Sequence, residues 1–426
     1  MHSDPTSGSR AIHYAWAILA LCFINLFINY GIRLGYSVML PEMIRTIGIT
    51  RREGGDIINA YLFTYLCLSP FAGYLTDRFG ARLVISGLGI LLGLGTILMG
   101  TASNASQAAL FFAITGIGGA AMWTPVVALA QRWFAPRRRG MALGLLSTGF
   151  GLGLAVMGSL YPAIVARWSW RYCWYLMGVA ALIMVIVNAL LLRSKPDDKR
   201  LKPWGEQEGL QTAQTNPPAA PTFKERYREI FGASRFWVIG ASYFLIAGAL
   251  YTTLTFIVDY ARSSLGFPYE RASLLATTHG FGQVFGVLVI PMLSDYIGRR
   301  WTILFSNIFI AVSITGILLS GGNPLWLFAS VALLGAFYGV TFPMYGACGG
   351  DYFRKELMGT VIGIWTPFYG VGAIIAHRAG GQIRDMTGSF NIPFLLCVAA
   401  ALCAALLMLF VKVPEQADAP SGSART

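Results

Sequence analysis

Arg33 stands inside the first long apolar run of the chain, where an uncompensated charge costs on the order of a few kcal/mol. Something must compensate it. If Arg33 faces an internal cavity, its planar fork of donors suits a carboxylate or similar anion on a ligand. If it lies close to the end of the run, it snorkels to the interface or pairs with a carboxylate of the protein itself. Asn29, four residues earlier on the same helical face, would share the ligand. His279 is one of four histidines; its unperturbed titration near about 6.5 suits proton exchange, and a structural hydrogen bond is the plainer alternative. Gln283 falls one turn further along the same face. Asp259 is a second candidate to carry a proton, with Arg262 three residues on as the partner that would otherwise hold it.

Tyr338, Phe342 and Tyr345 recur at intervals of four and three residues, giving one helical face with two hydroxyls beside Pro343, which loosens a helix where it moves. Trp365, Tyr369, Trp123 and Tyr251 are further cavity candidates that packing would explain equally well. Catalysis finds no constellation here. The stretches Gly116-Ile-Gly-Gly119 and Gly149-Phe-Gly-Leu-Gly153 lie inside apolar runs, where glycine serves close helix packing and not phosphate binding. There is no Walker loop and no metal-ligand spacing, so neither ATP nor any cofactor is implied. The six cysteines stand singly in apolar surroundings and read as small buried hydrophobes.

The elements that must position these groups are membrane spans. Of 426 residues, 55% are hydrophobic and 12% charged, against about 25% charged in soluble domains. Twelve apolar runs have the roughly 18 to 25 residues needed to cross the hydrocarbon core. Six cover 14–40, 56–75, 83–101, 107–131, 140–165 and 172–193; six more cover 235–260, 271–293, 301–320, 324–349, 357–377 and 390–412. The expected organisation is a tail (1–13), a bundle (14–193), a polar Pro-rich linker (194–234), a second bundle (235–412) and a tail (413–426). Met1 to Ala11 lacks the apolar core of a cleaved signal, so the first run is expected to remain as a helix. The net charge of +13 reads as basic loops on one side of a membrane and not as nucleic-acid affinity. Arg78, Arg82, Arg132, Arg299, Arg300, Arg354 and Lys355 fall on the linker's side, which predicts linker and both termini in the cytoplasm. Arg45, Arg51 and Arg52 fall opposite, accompanied by Glu42, Glu53 and Asp56.

The halves repeat. Asp77, in Gly73-Tyr-Leu-Thr-Asp-Arg-Phe-Gly-Ala-Arg82, matches Asp295, in Pro291-Met-Leu-Ser-Asp-Tyr-Ile-Gly-Arg-Arg300, at an offset of 218; Phe134, Gly140 and Gly144 match Phe353, Gly359 and Gly363 at 219. Gly73 to Arg82 resembles the signature loop of the major facilitator superfamily, between its second and third helices. That resemblance covers nearly the whole chain. It implies an all-α membrane protein, twelve transmembrane helices in two pseudo-symmetric six-helix bundles around a midplane cavity. It also implies that Asp77, Arg78, Arg82 and Arg132, with Asp295, Arg299 and Arg300 in the second half, latch the halves together on the cytoplasmic side, Asp77 meeting Arg132 and a helix N-terminus.

Three stretches are similar to the monocarboxylate and oxalate/formate porters: Arg132 to Gly153 at the fifth helix, Asp259-Tyr-Ala-Arg-Ser-Ser-Leu-Gly266 at the end of the seventh, and Gly31-Ile-Arg-Leu-Gly-Tyr-Ser-Val-Met-Leu-Pro41 in the first. By that resemblance the tenth helix lends Tyr338 and Phe342 to a substrate cavity. At the eighth-helix position where those porters place a substrate-binding Arg, this chain has Val287, and Gln283 stands at their nearby acidic position. The expectation is a monomeric inner-membrane carrier of a small organic anion, a monocarboxylate, in symport with protons by alternating access, on Arg33, Asn29, Tyr338, Phe342, Gln283 and Trp365, with His279 or Asp259 for the proton. Proton-driven export, uptake of a neutral metabolite and a non-transporting receptor are the alternatives; the Gly-Pro signature of drug exporters is missing from Gly149 to Gly158.

Overall fold

Long apolar runs become helices that stop where a cap or a glycine ends them. The computed structural model describes residues 13–205 and 223–411, so nearly all of both expected tails and the middle of the linker lie outside the described residues. The helix α1 (Tyr14–Ile47) ends on Gly48 in the left-handed region at φ 68°, and α2 (Arg51–Phe79) begins on a Thr50/Glu53 capping box, which satisfies two of the amide groups that a helix start leaves open. There follow α3 (Ala81–Met99), α4 (Ala105–Gly119), α5 (Thr124–Trp133), α6 (Pro136–Arg167) and α7 (Trp170–Leu191). The short α8 (Phe223–Gly232) leads into α9 (Ser234–Ser263), α10 (Tyr269–Ile297), α11 (Arg299–Leu318), α12 (Pro324–Tyr352), α13 (Lys355–Thr387) and α14 (Asn391–Met408).

Among the described residues, eleven helical runs are long and apolar enough to cross a membrane. The twelfth crossing is α2, whose 29 residues begin with Arg51, Arg52, Glu53 and Asp56 and are less apolar. It runs well past the 56–75 expected from hydropathy, because its charged first turns are held by the other half of the molecule and not by water. The fourth crossing, Ala105–Trp133, is interrupted by a 3-10 turn over Ala120–Met122. The glycines before the break do what their position in an apolar run predicts: a Cβ on Gly118 would lie 2.1 Å from the Leu92 amide nitrogen and one on Gly116 2.3 Å from the Tyr61 carbonyl oxygen. Only glycine lets α4 approach α3 and α2 so closely.

Within the first half α1 packs on α6 and α7, and α3 on α4 and α7; within the second α9 packs on α13 and α14, and α11 on α12 and α14. Two symmetric seams join the halves, α2 against α13 and α6 against α10, with α1 crossing α9 between them. Buried polar groups inside each half find partners, as they must away from water: Asn25 and Asn188 exchange hydrogen bonds of 2.9 and 2.8 Å. The start of the linker folds back on the first half, where Trp204 accepts from Ala135 N–H at 3.0 Å and donates to the Trp133 carbonyl at 2.9 Å.

The two ends differ. At the linker end Arg132 meets Asp77 at 3.3 Å, and Arg299 meets Asp295 at 2.7 Å and Asp351 at 3.1 Å. Arg78 lies over Phe79, and Arg82 donates to the Ala189 carbonyl. Asp77 thus finds the Arg132 partner expected of it, but each of these contacts stays within one half: the latch expected to join the halves does not do so in this conformation. At the opposite end the ion pairs do cross, Arg51 to Asp259 at 2.8 Å, Arg262 to Glu42 at 2.5 Å and Arg378 to Asp56 at 3.0 Å. Asp385 also accepts from the Arg51 and Arg52 amides at the start of α2, at 3.2 and 2.8 Å, where a helix N-terminus favours negative charge. The halves are therefore fastened at the end away from the linker. Removing Arg51 strands a buried carboxylate, so Arg51→Ala is expected to cost about 3 to 5 kcal/mol; Arg378→Ala, at a half-exposed pair, is expected to cost under about 1 kcal/mol. Thermal melts of the two purified variants check the contrast, and equal losses would contradict it.

Candidate functional site

Between the halves lies a cavity of about 360 Å3 lined from both sides, by α1, α2, α5 and α6 of the first half and α9, α10, α12 and α13 of the second. Arg33 is the one charged residue on its walls among the described residues. It is 6% exposed, and no carboxylate pairs with it among the described residues. Its terminal nitrogen donates to the Tyr251 hydroxyl, and its Nε, buried, has no partner. Four rings surround the guanidinium instead, with centroids at 5.7 Å (Tyr30), 5.6 Å (Tyr61), 5.1 Å (Tyr65) and 5.4 Å (Tyr251). Ring faces attract a cation by about 0.5 to 2 kcal/mol each, which holds the charge in place without neutralising it.

The position of the cage follows from the repeat. Tyr251 comes 218 residues after Arg33, the offset that relates the halves, so the two are pseudo-symmetry mates meeting where α1 crosses α9. Further aromatic rings close the cavity wall: Phe150 lies 4.1 Å from Tyr30 and 5.0 Å from Trp123, Trp123 lies 5.7 Å from Phe342, and Phe342 6.5 Å from Tyr369. Tyr338 stands 6.0 Å from Tyr251. The cavity therefore offers a flat apolar belt with a single positive pole.

Arg33, Gln283, Tyr338 and Phe342, named from the sequence, are brought together on this wall, and so are Trp123, Tyr251 and Tyr369. Asn29 is not on it: it is buried behind the cage, where it accepts the Tyr61 hydroxyl at 3.1 Å, and so positions a ring under Arg33. Trp365 is also misplaced by the sequence reading. It is buried in the second half, stacked on Phe236 at 5.8 Å and donating its indole N–H to the Phe236 carbonyl at 3.1 Å. Tyr345, at the end of the α12 stripe, turns its hydroxyl inward to Ser242 and Asn307 at 2.6 and 3.0 Å.

Neither proton candidate stands on the cavity wall. Asp259 pairs with Arg51 across the halves and not with Arg262, which reaches Glu42. His279 is buried off the cavity wall; its Nδ1 lies 3.3 Å from Gln283 and its ring 5.1 Å from that of Tyr338, both in the second half, and its Nε2 is buried without a partner. Sequence reasoning missed Tyr30, Tyr65 and the interface group His377–Asn59–Thr255, which lies one turn beyond Tyr251. The repeat offset between Arg33 and Tyr251 was the signal that leads to the cage.

Two helical halves closing on a central cavity are an architecture that membrane transporters use. The profile of the Major Facilitator Superfamily matches residues 22–270 and 239–426, and the chain belongs to that family of secondary transporters. It is 23% identical to a probable sulfoacetate transporter, SauU, of Cupriavidus necator, over 96% of each chain. It is also 23% identical to monocarboxylate transporter 4 of Gallus gallus, over 95% of this chain and 84% of that one. A crystal structure of a bacterial homologue of the lysosomal transporter Spinster shares the fold at a TM-score of 0.67, 16% identity and 95% coverage of both chains.

Trp365→Phe is expected to lower stability by about 0.5 to 1.5 kcal/mol, the worth of the indole hydrogen bond it loses, because the Phe236 carbonyl keeps its partner within α9. Melting curves of wild type and variant read the loss, and an unchanged melting temperature would contradict it.

Proposed function

We propose that the chain carries a small organic anion of single negative charge across the cell inner membrane by alternating access, in symport with a proton, with the linker and both termini in the cytoplasm. One observation carries the reading: Arg33 is buried on the cavity wall with aromatic faces and one hydroxyl for company and no carboxylate among the described residues. A buried guanidinium left uncompensated is costly. An anionic cargo supplies the missing charge, so cargo binding stabilises the loaded carrier over the empty one, and that difference is what shifts a conformational equilibrium.

The walls also say what the cargo lacks. With no carboxylate among the described residues of the cavity wall to meet an ammonium group, a zwitterion is disfavoured, and with one cation among them a second full negative charge goes unpaired. The aromatic belt suits an apolar or planar body. Val287, where monocarboxylate porters are expected to place their arginine on the eighth helix, ceases to be an obstacle because the cation stands on α1. Names of relatives, among them transporters of monocarboxylates and sulfoacetate, fit an anionic cargo. The basic loops on the linker side support a cytoplasmic linker, which makes the fastened end periplasmic and this conformation inward-facing.

Pairs of compounds that differ only in charge test the assignment. Benzoate and lactate are expected to raise the melting temperature of the purified protein, by about 2.7 kcal/mol of added stability at a hundredfold excess over Kd, whereas benzamide and lactamide are not, and Arg33→Ala is expected to abolish the response to both acids. Equal shifts from acid and amide, or an undiminished response in Arg33→Ala, would contradict it.

A further inference from the structure

The α9 helix carries three interface residues at intervals of four, and each meets the first half or the partner helix at a different depth. Asp259 takes Arg51 at the periplasmic end, Thr255 lies 3.0 Å from His377 Nε2, and Tyr251 accepts from Arg33. Each step is one turn, about 6 Å along the axis. The middle rung is the one group of the three that no reading of the cavity or of the ion pairs has used. His377, on α13, is 0% exposed. Its Nδ1 lies 2.9 Å from Asn59 Oδ1 on α2, so the ring ties the first half to the second. Its ring centroid lies 5.6 Å from that of Tyr251, with the two planes nearly perpendicular.

The hydrogen-bond partners fix what the ring can do. Asn59 spends its amide N–H on the Ile374 carbonyl at 2.8 Å, which turns Oδ1 to His377 and places a hydrogen on Nδ1. Nε2 then holds the lone pair and accepts from the Thr255 hydroxyl. A proton added at Nε2 makes imidazolium, with donors on both nitrogens. Asn59 Oδ1 accepts one, and Thr255 Oγ1 accepts the other once its hydrogen turns to the carbonyl four residues back, as helical threonines allow. The site holds either charge state without stranding a donor.

Packing alone does not call for histidine here. In the pseudo-symmetric seam, α6 against α10, the place of His377 is taken by Gly158, where a Cβ would lie 2.5 Å from the Thr277 amide nitrogen, and the neighbouring Ser159 bonds Thr277 at 2.9 Å.

We infer that His377 is the residue that carries the proton accompanying the anion, and that it does so at a contact that must part when the periplasmic end opens. This rests on the anion-symport reading of the cavity. The charged and titratable groups around it are Arg33 on α1, Arg51 and Asp56 on α2, Tyr251 and Asp259 on α9 and Arg378 beside it on α13. The carboxylates among them are held by Arg51 and Arg378, so among the described residues no unpaired anion faces the ring. Arg33, unpaired by any carboxylate among the described residues, shares Tyr251 with the ring. A cation there opposes a second cation on His377, and an anion on Arg33 removes that opposition. Anion and proton therefore favour each other's binding by the same factor, as linkage requires. When the ion pairs of the outer rung separate, the ring is the next group inward and takes its proton from periplasmic water; when the inner side opens, it gives the proton up.

The test uses the purified full chain with sodium lactate and sodium benzoate as probes. Wild type is expected to take up a proton as it binds either anion, read with a pH indicator in weak buffer, and to accumulate lactate in proteoliposomes under an inward proton gradient. In His377→Gln, which can still bond both neighbours, the anions still bind and lactate counterflow persists, but proton uptake disappears and gradient-driven accumulation falls at least tenfold. Should His377→Gln fail to fold, Thr255→Val serves: it removes the acceptor that imidazolium needs and leaves the Asn59 bond, and the same two losses are expected. Proton uptake and accumulation that survive in these variants would overturn the assignment. Binding of the anions to wild type without proton uptake would overturn symport and this inference together, while failure of both anions to bind would overturn the anion site itself.

Discussion

A guanidinium buried beside a cavity without a carboxylate is the constraint to which the rest of the structure answers. Arg33 cannot be left to lipid, and the protein gives it ring faces and a tyrosine hydroxyl in place of a counter-ion. Elsewhere at the interface the same chain pairs its arginines in the ordinary way, with Asp259, Glu42 and Asp56. A protein that supplies carboxylates to its closing contacts and withholds one from its cavity leaves room there for an anion from outside.

From that constraint the placing of other groups follows. Tyrosines reach Arg33 from α1, α2 and α9, so the cage forms only when both halves close on one another. Because α9 carries Tyr251, Thr255 and Asp259 on one face, the cation, the buried histidine and the outermost ion pair stand in line along the axis between the halves. Rigid motion of one half against the other, the general mode of alternating access, changes the Arg33–Tyr251, Asn59–His377 and Arg51–Asp259 contacts together, while Thr255 and His377 move as one with the second half. Coupling between cargo and conformation then needs no relay through the interior of either half: one helix face meets each contact in turn.

The fold was legible in the sequence because its signals are long: twelve apolar runs, basic loops and a repeat at 218 to 219 residues. Arg33 was legible for the same reason, as a charge where none is affordable without a partner. Tyr338 and Phe342 could be read from their spacing. Trp365 was misread because spacing does not fix the rotation of a helix. Tyr369, four residues on, is turned by about 40° relative to it; Tyr369 reaches the cavity and Trp365 the core. The partner of Asp259 was misread because Arg51 lies 208 positions away, on the other half, and local spacing favoured Arg262. His377 left no local signal, since a histidine followed by Arg378 at the end of an apolar run reads as an ordinary interface pair. The tertiary contact with Asn59, 318 residues off, is what gives it a role.

The central claim is that an anion completes the charge of Arg33 within the aromatic cavity, and a structure of the protein with 4-bromobenzoate tests it directly, the bromine marking the ligand's orientation. The account predicts the carboxylate within about 2.7 to 2.9 Å of the Arg33 guanidinium, the distance of a charge-assisted hydrogen bond, with the ring among Phe150, Trp123 and Phe342. A ligand bound with its bromine toward Arg33, or outside the cavity while Arg33 rests against a carboxylate of the protein, would contradict it.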